Sequence, residues 1–159
     1  MSGLSSSTSR TAPPQRPVRR AAMAPWTRAR FSKHEAPRKA ARTAIGGLFL
    51  STAGIHVGLV VADPEIYASF ADQALFGWVR DQWIDVFMAH PAIWGLAVAT
   101  GELSLGVLLL VGGRPARWGY AGVIGFHLAL MLFGWGFWAW SVPALALLIP
   151  LARNEWRPG

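Results

Sequence analysis

The chain has 159 residues, 53% of them hydrophobic and only 14% charged, with a mean hydropathy of +0.33. Soluble domains carry about 25% charged residues, and the absence of cysteine excludes disulfides, thiolate metal sites, iron–sulfur clusters and covalent haem attachment by this chain. The net charge of +7 would suit a nucleic-acid binder, but that role needs aromatic residues interleaved on a folded basic platform, and these basic residues are placed as a membrane topology signal would place them.

Residues 1–43 hold ten of the fifteen Lys and Arg residues and one acid, Glu35. Pro13, Pro14, Pro17, Pro25 and Pro37 punctuate this stretch, and proline interrupts helices. Low hydrophobicity with high net charge predicts a disordered basic tail, cytoplasmic and resting against anionic lipid. Met23 offers a second start within it.

Residues 44–152 carry four apolar spans, about 44–62, 92–112, 116–134 and 138–152, followed by a cytoplasmic C-terminus at 153–159. The stretch Trp118–Ala152 has no Lys, Arg, Asp or Glu and is too long for one helix across a core of roughly 30 Å. The cluster Trp135, Phe137, Trp138 and Trp140, with Gly134 and Gly136, predicts a turn there at the membrane–water interface. The fourth span is then short, and Pro143 and Pro150 interrupt it, so a re-entrant segment is its alternative.

The connections alternate in charge. The tail is basic; residues 63–90 hold five acids and one base; Arg114 and Arg117 follow; the next turn is neutral; Arg153 and Arg157 flank Glu155 at the end. That alternation predicts four spans with both termini inside; the expected setting is a bacterial plasma membrane. Val60-Val61-Ala62 resembles a signal-peptidase site, but its apolar run is longer than a signal h-region. Within 63–90, Asp63-Pro64-Glu65 reads as a helix start. Ile66, Phe70 and Ala74 recur at helical spacing, and Trp78, Trp83, Ile84 and Phe87 mix with charges. The expectation is an all-α integral membrane four-helix bundle with an outer amphipathic helical segment between helices 1 and 2, serving as a cap, a lid or a docking face.

The run Glu102-Leu103-Ser104-Leu105-Gly106-Val107-Leu108-Leu109-Leu110-Val111-Gly112-Gly113-Arg114, and Gly47-Leu48-Phe49-Leu50 with Gly54, resemble the DoxX-like membrane proteins over roughly residues 44–152. The resemblance implies a small four-helix membrane protein. Some members of that family are linked to quinone-coupled oxidation of sulfur compounds, and others accompany redox enzymes. The long basic tail and the acid-rich 63–90 segment depart from the family pattern.

Glu102 is the only charged side chain from Pro91 to Gly113. An intramembrane carboxyl costs roughly 2.5–3.5 kcal/mol on insertion scales, which marks it as a functional candidate. At 1.5 Å per residue, His56, Glu102 and His127 all fall near the midplane of their spans. Glu102 shares a face with Gly95, Ala99 and Gly106, a packing face. His56 lies opposite the stripe Gly47/Ser51/Gly54/Gly58, and either side of that helix could face inward.

Four roles compete for these residues. Interhelical hydrogen bonds alone would explain them structurally, leaving the chain a membrane anchor or scaffold for a partner. A proton-handling site is the second: burial disfavours charge on both a carboxyl and an imidazole, and Glu102, His127 and His56 would move the proton while Tyr120 and His127 contact a quinone. Metal or haem ligation is the third, but no histidine pair has helical i,i+4 spacing, so no metal is assigned. Small-molecule transport is the fourth. The functional expectation is a small membrane subunit of a redox assembly acting at or near quinone, with a redox enzyme as its partner and no nucleic acid.

Overall fold

The computed structural model describes residues 25–156, with side chains described from residue 36 onward. The described residues form helices and turns, with no strand among them. α1 spans Pro25–Ala62, α4 Pro91–Val111, α5 Gly113–Leu130 and α6 Trp135–Trp156. All four are long and apolar enough to cross a membrane. They pack as a four-helix bundle in which α1 lies against α4, α4 against α5 and α5 against α6.

The outside of the bundle is apolar. Ile55, Val61, Ile93, Val111, Trp118 and Leu147 are each more than half exposed, a patch far larger than soluble monomers tolerate. The hydroxyls on that surface are satisfied within their own helices: Ser51 donates to the Gly47 carbonyl at 3.0 Å, Thr100 to Leu96 at 2.8 Å and Ser104 to Thr100 at 2.7 Å. Hydrocarbon offers no partner for a polar group, so this is the arrangement a lipid-facing surface requires. The protein spans a membrane.

Two features differ from the sequence expectation. The residues expected to be a disordered tail include 25–43, which belong to α1; residues 1–24 lie outside the described part. Pro25 occupies the helix start, where a missing N–H costs nothing, and Pro37 removes one hydrogen bond from a helix held by everything after it. The fourth span is not short or re-entrant. α6 runs for 22 residues through Pro143 and Pro150, and membrane helices accommodate such prolines through packing against their neighbours.

Close helix approach depends on glycine. A Cβ on Gly106 would lie 2.9 Å from the Gly46 carbonyl oxygen, so α1 and α4 meet backbone to backbone there. The α4–α5 turn uses Gly112 and Gly113 at φ +81° and +61°, a region closed to most L side chains. Gly134, at φ +96°, makes the turn into α6 after a short 3₁₀ stretch, Met131–Phe133.

The segment between α1 and α4 folds over one end of the bundle. A 3₁₀ turn, Pro64–Ala68, leads into α2 (Ser69–Asp72), then α3 (Gly77–Gln82) and a π turn, Trp83–Phe87. Asp63 caps the first of these by accepting the Glu65 N–H at 3.0 Å. The cap is fastened to the α5–α6 turn. Leu75 N–H donates to the Leu132 carbonyl at 2.9 Å, and a Cβ on Gly134 would touch the Gln73 carbonyl at 2.7 Å.

The bundle is solid at the opposite end. Phe49, Leu109, Tyr120, Val123, Leu148 and Ala152 form a buried core there. Beside it Arg42 of α1 pairs with Glu155 of α6 at 3.6 Å. Beneath the cap the bundle is hollow.

Candidate functional site

The hollow is a cavity of about 670 Å³, within the range of small-molecule sites. α1, α4, α5, α6 and the cap all contribute to its wall. Most of that wall is aromatic or aliphatic. Trp83 and Phe87 stack with ring centroids 3.9 Å apart, Phe70 lies 5.5 Å from both Trp83 and Phe137, and Phe133 meets Trp83 edge-on at 4.8 Å. The π turn places Trp83 and Phe87 side by side, closed by the Met88 N–H to the Trp83 carbonyl at 2.9 Å.

Glu102, His56, His127, Tyr67, Thr52 and Gln73 supply the polar side chains of the wall. Glu102 sits on the small-residue face of α4, with Gly95, Ala99 and Gly106, and is 4% exposed. Its Oε1 lies 3.8 Å from His56 Nε2. Its Oε2 is buried and has no hydrogen-bond partner. In native proteins such an orphan is uncommon and calls for an explanation.

His56 faces inward because α1 turns Phe49 and Ala53 to the core. The opposite stripe faces away: a Cβ on Gly47, Gly54 or Gly58 would meet nothing. The second ring nitrogen of His56, Nδ1, is 2.6 Å from the Tyr67 hydroxyl, and the two rings stack at 5.7 Å. Tyr67 is 2% exposed. Its backbone carbonyl accepts the Trp83 indole N–H at 2.8 Å, which fixes the cap's register over the site. Burial pushes the Tyr67 phenol above its ordinary value, and the nearby Glu102 charge adds to this. Tyr67 is therefore protonated at neutral pH.

Glu102, His56 and Tyr67 thus form a row with two proton placements. In one, Tyr67 O–H donates to Nδ1 and the Nε2–H faces an ionised Glu102. In the other, Nδ1–H donates to the phenol oxygen and Nε2 faces a protonated carboxyl. The second placement holds one proton more than the first: Glu102 carries it, His56 stays neutral as the other tautomer, and Tyr67 keeps its own. The Glu102–His56 separation must shorten to about 3 Å to complete the row.

His127 lines the same cavity from α5 but forms no ion pair with Glu102. Its Nδ1–H donates to the Val123 carbonyl at 2.9 Å. A carbonyl only accepts, so in the neutral ring Nε2 is an acceptor, and it finds no partner among the described residues. Tyr120 is elsewhere. It sits in the solid core with Leu109 and Val123 and does not line the cavity. The reason is height: seven residues below His127 on one face of α5 is about 10 Å. The assignment of Tyr120 to a quinone site is therefore corrected.

Tyr67 is the residue the sequence reading missed. The periodic face read from 66, 70 and 74 makes Ile66 inward, whereas Ile66 is 47% exposed and Tyr67 and Ala71 are buried. The opening 3₁₀ turn shifts the phase. The available signal was composition: Tyr67 is one of only two tyrosines, beside an otherwise apolar face. Among the described residues, no three His, Asp or Glu side chains gather closely enough to hold a metal ion. Comparison with family models, curated proteins and solved structures finds no match.

Proposed function

We propose that this protein is a small membrane subunit of a redox assembly that binds a quinone-type ring and handles its proton. The observation that carries the reading is the buried, unpartnered Glu102 Oε2 at an apolar cavity, next to the His56–Tyr67 pair. The polar groups fit such a ring. A protonated Glu102 can donate to a ring carbonyl, and the free Nε2 of His127 can accept from a ring hydroxyl. Aromatic walls suit a planar ring. When bound, the ring supplies two-electron carrier chemistry. The chain itself positions the ring, keeps water away and holds the exchangeable proton on Glu102, beside the His56–Tyr67 pair. Electrons go to or come from a partner subunit. The resemblance to DoxX-like proteins points the same way, as does the expected placement in a bacterial plasma membrane with both termini cytoplasmic.

The test is Glu102→Gln, which keeps the shape and removes the titrating proton. Nanodisc-embedded protein is titrated with a short-tailed ubiquinone or menaquinone analogue, read by quenching of tryptophan fluorescence, since Trp83 and Trp140 line the cavity. The substitution is expected to keep binding within a few fold, because the Gln amide still donates to a ring carbonyl, and to remove the pH dependence of binding. An unchanged pH response in Glu102→Gln refutes the reading.

A second reading, a non-catalytic anchor or scaffold, is favoured by the outer face of the cap. Phe76 and Trp78 stack there, 49% and 62% exposed. If removing both rings abolishes partner recovery while Glu102→Gln changes nothing, the scaffold reading replaces the first.

A further inference from the structure

α1 and α6 hold each other at one end only. Near the core, Arg42 pairs with Glu155, and Phe49 packs with Leu148 and Ala152. Between their backbones the two helices make little contact. The cavity reaches the surface in that gap. Leu48 and Ile55 of α1 and Trp140 of α6 line it, yet they are 45%, 59% and 58% exposed. A side chain that lines a cavity and is also exposed stands at its mouth. All three lie inside membrane-spanning helices, so the mouth opens onto hydrocarbon.

The other approach lies under the cap, where Gln73 and Gly136 also line the cavity and are exposed. The cap is hydrogen-bonded to the α5–α6 turn through Leu75 and Leu132, and its aromatic layer lies across the cavity's end. A water-borne ligand would have to pass the edge between Gln73 and the start of α6 or lift the cap. The chemistry of the wall narrows the ligand further. No Lys or Arg lines the cavity, so nothing there balances the phosphate of a phospholipid. The free buried groups are the Glu102 Oε2 and the His127 Nε2, with the neutral Gln73 amide at the cap edge. They suit an uncharged head bearing carbonyl or hydroxyl oxygens.

From these observations we infer that the ligand is a ring-headed, uncharged lipid that enters sideways from the bilayer between α1 and α6. The head seats between the cap aromatics and Glu102, and the apolar tail leaves past Leu48 and Trp140. This deepens the quinone reading and rests on it, adding the tail and the route. The cavity holds a ring and the first part of a tail, so a long tail must lie outside in lipid.

The chain has no cysteine, so a paired-cysteine test is clean. Ile55→Cys and Trp140→Cys are combined, and the mouth is bridged with a bifunctional maleimide in nanodiscs; each single variant carrying a monofunctional maleimide is the control. The probe is a benzoquinone with a medium-length alkyl tail ending in a photoreactive diazirine. Labelling is scored only where an excess of unlabelled quinone competes it away. Competable labelling is expected on α1 and α6 around Leu48 and Trp140, and the bridge should slow its appearance about tenfold or more while the controls do not. Competable labelling on the outer face of the cap, or labelling at an unchanged rate when bridged, overturns sideways access and leaves quinone binding standing. The absence of competable labelling anywhere in the unbridged protein overturns both.

Discussion

Gly95→Ala links the packing of the bundle to the site most directly. A Cβ at Gly95 would stand 2.5 Å from Val60 Cγ2, 2.9 Å from Tyr67 Cε2 and 3.2 Å from Tyr67 Oη. The Val60 methyl can rotate away. The tyrosine ring cannot move freely, because it is stacked on His56, lies 5.3 Å from Phe87 and is anchored through its carbonyl to Trp83. Inserting a methyl into such a site costs about 1–3 kcal/mol. Replacing a helical glycine by alanine returns about 0.8–1 kcal/mol. The same substitution at Gly54, where a Cβ meets nothing, collects that gain without the cost. Reversible denaturation in mixed micelles should therefore place Gly95→Ala below Gly54→Ala by about 1–3 kcal/mol. The displaced ring also loses its 2.6 Å contact with His56, so quinone affinity should fall in the first variant and not in the second. If the two alanine variants are equally stable and bind alike, the cap is not packed against α4 as described.

Two further outcomes follow from the cap. Tyr120→Phe leaves Tyr67 as the single tyrosine, so its ionisation can be followed alone by ultraviolet absorbance; the midpoint should lie above the ordinary phenol value of 10.0. A phenol raised in the folded state stabilises the cap fully below that ordinary value, and this stability is lost as pH rises through the raised one; a midpoint at or below 10.0 contradicts the burial of Tyr67. Single cysteines at Lys39, Trp78 and Arg153 in the cysteine-free chain report topology. An impermeant thiol reagent should reach the first and last from one side of the membrane and Trp78→Cys from the other; all three labelled from one side would rule out four spans.

Much of the architecture is visible in the chain because membranes impose simple rules on it. The number of spans, the Asp63 cap, the Gly112-Gly113 turn and the aromatic turn before α6 each follow from local chemistry. The inward face of Glu102 follows from its small-residue neighbours on α4. Other expectations needed more than local rules. Pro37 does not end a helix, and Pro143 and Pro150 do not shorten one, because neighbouring helices supply packing that propensity ignores. Tyr120 was grouped with the site by residue type, and its height on α5 separates it.

The sequence by itself determined the four apolar helices and the similar height of His56, Glu102 and His127 along them, since each depends only on counting along a helix. Tertiary structure decided which of them meet. Helical phase says which side of one helix a residue occupies, but not where the next helix stands around it. That placement comes from the Gly46–Gly106 approach, which brings His56 to Glu102, and from the cap's attachment at Gln73 and Gly134, which helps hold the cap that brings Tyr67 to His56. The opening between α1 and α6 has the same origin: an ion pair joins the two helices at Arg42 and Glu155, and their backbones come together little elsewhere.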